Sequence, residues 1–191
     1  MQLSKKLILG SKSPRRKEIL QLAGIDFEIR TANTEEQYPA SIDNREVPVY
    51  LAQLKANDLK HTIANDEILL CTDTIVLLDD VIYGKPKDFE DAIQILSQLS
   101  GKTHEVISGV CLMTDTHTEV FSDVTEVTFN TLIDEDIRHY INTYKPFDKA
   151  GAYAIQEWIG LMGIEKIRGS YYNIVGLPIH KVIQALRKYA I

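Results

Sequence analysis

The sequence predicts an α/β fold, a single mixed-sheet domain spanning residues 1–191. Three observations predict it. Short apolar runs bounded by turn residues alternate along the chain with stripes at helical spacing. The composition, 45% apolar and 25% charged, is that of an ordinary globular protein. No repeat, low-complexity stretch or internal linker divides the chain. A chain of this size buries ~70% of the surface that its unfolded form exposes, so it needs no disulfide or structural metal to fold.

The elements follow in order. Leu7 to Leu9 reads as a short buried strand. Pro14 to Ala23 reads as a helix, with Ser13 as N-cap, Pro14 in its first turn and Gly24 just past its end. Phe27 to Thr31 alternates as a strand does, and Asn33 to Asn44 is polar and irregular. Pro48 to Lys60 is predicted helical with Leu51, Leu54 and Leu59 inward. Two apolar runs, Ile68 to Cys71 and Ile75 to Leu78, are interrupted by Thr72-Asp73-Thr74. Asp79-Asp80 forms a turn into Val81 to Tyr83. Asp88 to Ser100 is the clearest helix: Phe89, Ala92, Ile93, Leu96 and Leu99 make one stripe, Asp88 caps it and Gly101 ends it. Strands at Glu105 to Met113 and Glu119 to Asn130 follow, then a helix from Asp134 to Thr143. A glycine-bearing loop, Pro146 to Gly163, leads to a strand near Ile164 to Ile167, and Pro178 opens the last helix. Strand order does not follow from these patterns.

Charge and composition exclude several classes of function. The net charge of −6 argues against a generally basic nucleic-acid or membrane-surface coat. Cys71 and Cys111 each sit in an apolar run and read as small core residues. There is no Cys-x-x-Cys pair, and the five histidines lack ligand spacing, so a zinc site is not expected. The N-terminus lacks a signal-peptide pattern, and no segment approaches the ~20 apolar residues of a membrane span. The expectation is a cytoplasmic protein with no membrane or nucleic-acid partner.

Chemistry is concentrated in a few segments. Lys12, Arg15, Arg16 and Lys17 crowd the start of the first helix. A helix N-terminus already carries partial positive charge, so each such cation costs a few tenths to ~1 kcal/mol there. The arrangement makes sense where an anion docks, because free backbone N–H groups, serine hydroxyls and guanidinium forks suit phosphate oxygens. A solvated basic helix start is the alternative. Asp73 is expensive to bury between apolar runs unless it is paired or metal-bound. It could hold Mg²⁺ or take a proton from water, or it could be an exposed acid at a strand end or bulge. Lys85, held between Gly84 and Pro86, could reach a phosphate or be a plain surface charge. Glu35 and Glu36 form an acidic pair in a polar loop, and Lys55 borders the buried face of its helix. Gly101-Lys102-Thr103 is not a phosphate-binding P-loop, because Leu96 replaces the required first glycine and a helix precedes it. No Gly-x-Ser-x-Gly nucleophile elbow is present.

Taken together, five ordered segments resemble the Maf nucleotide pyrophosphatases. They are Leu9-Gly10-Ser11-Lys12-Ser13-Pro14-Arg15-Arg16, Thr72-Asp73-Thr74-Ile75-Val76, Gly84-Lys85-Pro86, Asp148 to Gln156 and Gly169 to Pro178. The resemblance implies an elongated mixed α/β structure with a central cleft, similar to inosine triphosphate pyrophosphatase. It implies hydrolysis of nucleoside triphosphates to the monophosphate and pyrophosphate with a divalent metal, Mg²⁺ or Mn²⁺, and a homodimer. Carried over by motif, Asp73 activates water, and Ser11, Arg15, Arg16, Lys55 and Lys85 hold phosphates. Glu35 joins Asp73 around the metal, with Glu36 as the alternative counterpart. Arg15, Thr74 and Gln156 correspond to positions that choose the base, and the pattern resembles the branch acting on dTTP and UTP. Gly10 and Thr72 stand where the family usually has alanine, and Trp158 replaces a small residue, a change that would narrow or cap the pocket. Two rival readings stay open: a non-catalytic nucleotide-binding regulator of cell division, and a 7-methyl-GTP pyrophosphatase.

Overall fold

The computed structural model describes all of residues 1–191. Seven strands form one mixed sheet flanked by seven α-helices. In chain order they are β1 (Lys6–Leu9), α1 (Pro14–Leu22), β2 (Phe27–Ile29), α2 (Val47–Leu59), β3 (Glu67–Leu78), β4 (Val81–Tyr83) and α3 (Phe89–Leu99). Then come β5 (Thr103–Met113), β6 (Thr118–Phe129), α4 (Asp134–Tyr144), α5 (Trp158–Gly163), β7 (Ile164–Arg168), α6 (Tyr171–Val175) and α7 (Ile179–Leu186). The strand order is β2-β1-β3-β5-β6-β7, with β4 also beside β3. β1 runs parallel to both β2 and β3, while β4 on β3 and β7 on β6 are antiparallel. No helix is long and apolar enough to cross a membrane.

The chain folds into two compact units. The first comprises Met1–Asp73, Ser108–Asp123 and Gly176–Ile191; the second comprises Thr74–Ile107 and Val124–Val175. In the first unit, Ile8, Leu69, Cys71, Cys111 and Met113 from the strands pack with Ala52, Ala56 and Leu59 of α2. Both cysteines are buried core residues, as their apolar runs predict. Gly109 lets α2 approach β5, since a Cβ there would lie 2.2 Å from the backbone of Pro48 and Val49. Arg30, just past β2, grips Glu67 at the start of β3 with two hydrogen bonds of 2.8 Å. In the second unit, α3 and α4 bury Ala92, Leu96, Leu99, Ile137, Tyr140 and Ile141 with Val76, Val127 and Phe129 of the strands.

Most predicted elements appear within a residue or two. Asp88 caps α3 by accepting from the Asp91 N–H at 2.9 Å. Asp79 and Asp80 both take positive φ, the backbone of a tight hairpin turn. Two expectations are corrected, and one element was not predicted. β3 is one continuous strand through Thr72-Asp73-Thr74, because Asp73 finds a cationic partner and need not leave the sheet. The stretch Pro146 to Gly163 is not all loop, since it ends in α5. A short helix, α6, precedes the last one. Neither α5 nor α6 is long enough to show a periodic stripe.

Candidate active site

The loop from β1 to α1 leads into the basic helix start. The Gly10 N–H continues the pairing of β1 with β3 by donating to the Leu70 carbonyl at 2.8 Å. The chain then turns, and Ser11 is buried. Its Oγ accepts from the Ser13 N–H at 3.2 Å and from Arg16 Nη1 at 3.1 Å. A hydroxyl has two acceptor sites and one proton, so what Ser11 can still give is that proton, which an anion would take. Ser13 occupies the N-cap but makes no side-chain capping bond, and no acid stands in the first turn of α1. The helix end thus keeps its positive character. Arg16 is half-buried, and its Nε donates to the Gly176 carbonyl at 2.9 Å. Burial lowers its pKa from the ordinary arginine value, against the opposing pull of Asp73. Arg15 is half-buried beside it, and Lys12 donates to Asn33 Oδ1 at 3.2 Å.

Asp73 lies in β3 at the end of the first unit's first segment, 8% exposed. Lys55 Nζ donates to its Oδ1 at 2.6 Å. The helical register explains the reach: Lys55 follows Leu51 by four and Ala52 by three, so it borders the buried face of α2. The same ammonium lies 2.8 Å from Glu36 Oε1, so one lysine bridges two carboxylates. Burial pushes the Asp73 carboxyl above the usual aspartate range, although Lys55 and Arg16 pull it down. A buried carboxylate with a raised pKa and a fixed cation beside it has the character of a general base. Of the acidic pair, Glu36 meets Lys55, while Glu35 accepts from Gln37 Nε2 at 2.6 Å and is exposed.

The structure therefore brings together Ser11, Arg16, Lys55, Asp73 and Glu36, with Arg15 adjoining, within the first unit. Thr74, Lys85 and Gln156 belong to the second unit. Thr74 is half-buried and Lys85 exposed. The Gly84 carbonyl accepts from the Gly151 N–H at 3.0 Å, which ties the lysine loop to the Asp148–Gln156 block. Gln156 is exposed on the rim of a pocket of about 410 Å³ that Ile155, Ile164, Ile167 and Tyr171 also line. The residues on either side of Gln156 are held by polar contacts that no local pattern announces. The Tyr140 hydroxyl donates to Glu157 and accepts from the Ala154 N–H, and Lys149 is ion-paired to Asp148 at 2.8 Å and to Glu157 at 3.4 Å. Trp158, half-buried, meets His139 edge to face at 5.0 Å between ring centroids. Sequence reasoning also assigned no role to Gly176, whose carbonyl meets both Arg16 and the Thr72 hydroxyl. Its only local signal is a glycine just before Leu177-Pro178.

Known proteins carry the same sequence pattern. The family model described as Maf-like protein matches residues 6–189. A dTTP/UTP pyrophosphatase of Phocaeicola vulgatus is 51% identical over 184 residues, covering 96% of this chain and 95% of that protein. A dTTP/UTP pyrophosphatase of Flavobacterium psychrophilum is 50% identical over 177 residues, 93% and 91% of the two chains. A third, from Parabacteroides distasonis, is 48% identical over 185 residues and 96% of each. Among solved structures, the Staphylococcus aureus Ham1 protein matches at 14% identity and a TM-score of 0.49, over 65% of this chain and 72% of that one. A near full-length match that takes in the loop from β1 to α1, the Asp73 strand and both C-terminal blocks leaves one conclusion: this chain belongs to the Maf-like protein family.

Proposed function

We propose that this chain hydrolyses dTTP and UTP to the nucleoside monophosphate and pyrophosphate. The observation that carries the reading is Asp73, buried in β3, its pKa raised by burial and its Oδ1 gripped by Lys55 at 2.6 Å. Relatives of nearly the same length bear the name dTTP/UTP pyrophosphatase, which supports the choice of substrate. Cleavage between the α- and β-phosphates needs a water in line with the α-phosphorus and a base to take its proton. Asp73 takes that proton, and Lys55 keeps the carboxylate ionised until it does. A triphosphate brings about four negative charges; Arg15, Arg16 and Lys55 neutralise them as the leaving pyrophosphate develops, and the Ser11 hydroxyl donates a hydrogen bond to it. The family resemblance further assigns Lys85 to the phosphates, and Arg15, Thr74 and Gln156 to the choice of base.

The donor set fits a divalent cation that arrives with the nucleotide. Two carboxylates converge on one ammonium, and no group of three or more ligating side chains gathers in the chain. Magnesium-type ions commonly take one or two protein carboxylates and complete their shell with phosphate oxygens and water. Asp73 and Glu36 would hold Mg²⁺ or Mn²⁺ in that way, and the ion would supply further neutralisation of the polyphosphate. The homodimer and cytoplasmic setting that the family resemblance implies belong to the same reading, and sedimentation of the purified protein tests the first of them.

Product analysis decides the reaction. Purified protein with Mg²⁺ or Mn²⁺ is given dTTP, UTP, CTP, ATP, GTP and 7-methyl-GTP at equal concentration. Monophosphate and pyrophosphate should form from dTTP and UTP above all others. Diphosphate and phosphate would mean that a different bond breaks. Turnover of 7-methyl-GTP alone would overturn the base assignment, and tight binding without product would make the protein a regulator.

A further inference from the structure

We propose that the Gly176 carbonyl and the Thr72 hydroxyl form a positioning device that sets the guanidinium of Arg16 for the triphosphate. The inference rests on the reading of Arg16 as a phosphate ligand. One carbonyl oxygen accepts two hydrogen bonds, from Arg16 Nε at 2.9 Å and from Thr72 Oγ1 at 3.3 Å. All three residues lie in the first unit, and Thr72 and Gly176 are buried.

Each part has a physical reason. An arginine side chain has many rotamers, and a fixed acceptor at Nε selects one of them while Ser11 Oγ engages Nη1 at 3.1 Å. Two contacts on a rigid planar fork fix its plane as well as its place. The carbonyl is aimed by Gly176, whose φ of +117° is a backbone conformation that side-chain-bearing residues rarely adopt. Thr72 steadies the same carbonyl from β3. Strand side chains alternate, so Thr72 points to the face opposite Asp73 and acts through Gly176 instead of touching the reacting groups. The strand that supplies the base thereby also anchors the arginine across from it. With alanine at 72 that second donor would be missing.

The test is steady-state pyrophosphate release from dTTP, together with calorimetric binding of inorganic tripolyphosphate. Thr72→Val keeps the branched shape and removes the donor. It should raise KM for dTTP and Kd for tripolyphosphate about tenfold, with kcat changed less than about twofold. Thr72→Ser, which keeps a hydroxyl, should recover most of that loss. In an Arg16→Lys background, Thr72→Val should add less than about twofold, because the group it positions is gone. Gly176→Ala should give the larger loss of affinity; where it does not fold by circular dichroism, the Thr72 series decides. An unchanged KM and Kd in Thr72→Val would overturn the proposal, as would a full effect in the Arg16→Lys background or a loss confined to kcat. If the wild-type protein releases no pyrophosphate, the proposed reaction fails, while the tripolyphosphate affinities still judge the device.

Discussion

Adding one methyl group at Gly10 tests the packing beneath the loop from β1 to α1. A Cβ built there would lie 2.3 Å from Cys71 Sγ and 3.3 Å from the Cδ1 atoms of Leu59 and Leu69. Ordinary van der Waals contact begins about 1 Å farther from the sulfur. Cys71 is fully buried among Ala52, Ala56, Leu59 and Cys111, so its sulfur has little room to withdraw. Gly10→Ala should therefore destabilise the fold by about 1–3 kcal/mol, the usual cost of overpacking. Cys71→Ala alone should cost about 1 kcal/mol for the lost buried sulfur. In the double variant the new methyl occupies the space that the sulfur vacates. Its stability should return to within about 1 kcal/mol of the wild type, a favourable coupling of about 1–3 kcal/mol. Urea unfolding of all four proteins, with equal m-values, measures the cycle. A neutral Gly10→Ala, or a double variant no better than the sum of the singles, would refute the argument. The pairing also accounts for glycine at this position: the cysteine already fills the volume that a side chain would take.

Other outcomes follow from the same geometry. Asp73→Asn should lower kcat about 10²–10⁴-fold without loss of fold, and near wild-type pyrophosphate release would remove Asp73 as the base. Gly109→Ala should cost ~2–3 kcal/mol in urea unfolding, because its Cβ meets the backbone of Pro48 and Val49 at 2.2 Å and α2 must shift with Lys55 upon it. His104 is buried against Phe129 and Tyr153, and burial lowers its pKa to about 4. The unfolded chain thus binds more protons between pH 6.5 and 4, and stability should fall by about 3 kcal/mol as pH drops through that window. An NMR titration that found His104 protonating near 6.5 would contradict this.

Local patterns carried far into this molecule. The stripe and cap of α3, the hairpin turn at Asp79-Asp80 and the basic start of α1 are all short-range features, and each appears where its residues predict. They are legible because capping, periodicity and turn geometry depend on neighbours a few positions away. The site is legible only in part. Asp73, Lys55 and Arg16 stand out as residue types in costly places, but their partners do not. Reading β3 as two runs follows from the cost of burying a lone carboxylate. The strand is continuous because Lys55, 18 residues earlier, meets that carboxylate at 2.6 Å. Glu36 and Glu35 are chemically alike, and the course of an irregular loop turns one to Lys55 and the other to Gln37. Gly176 is 160 residues from Arg16 and 104 from Thr72 along the chain. The sheet order that brings β1 beside β3, and these long-range hydrogen bonds, arise from burial shared among distant segments. Such shared burial leaves no trace in any one stretch of the chain.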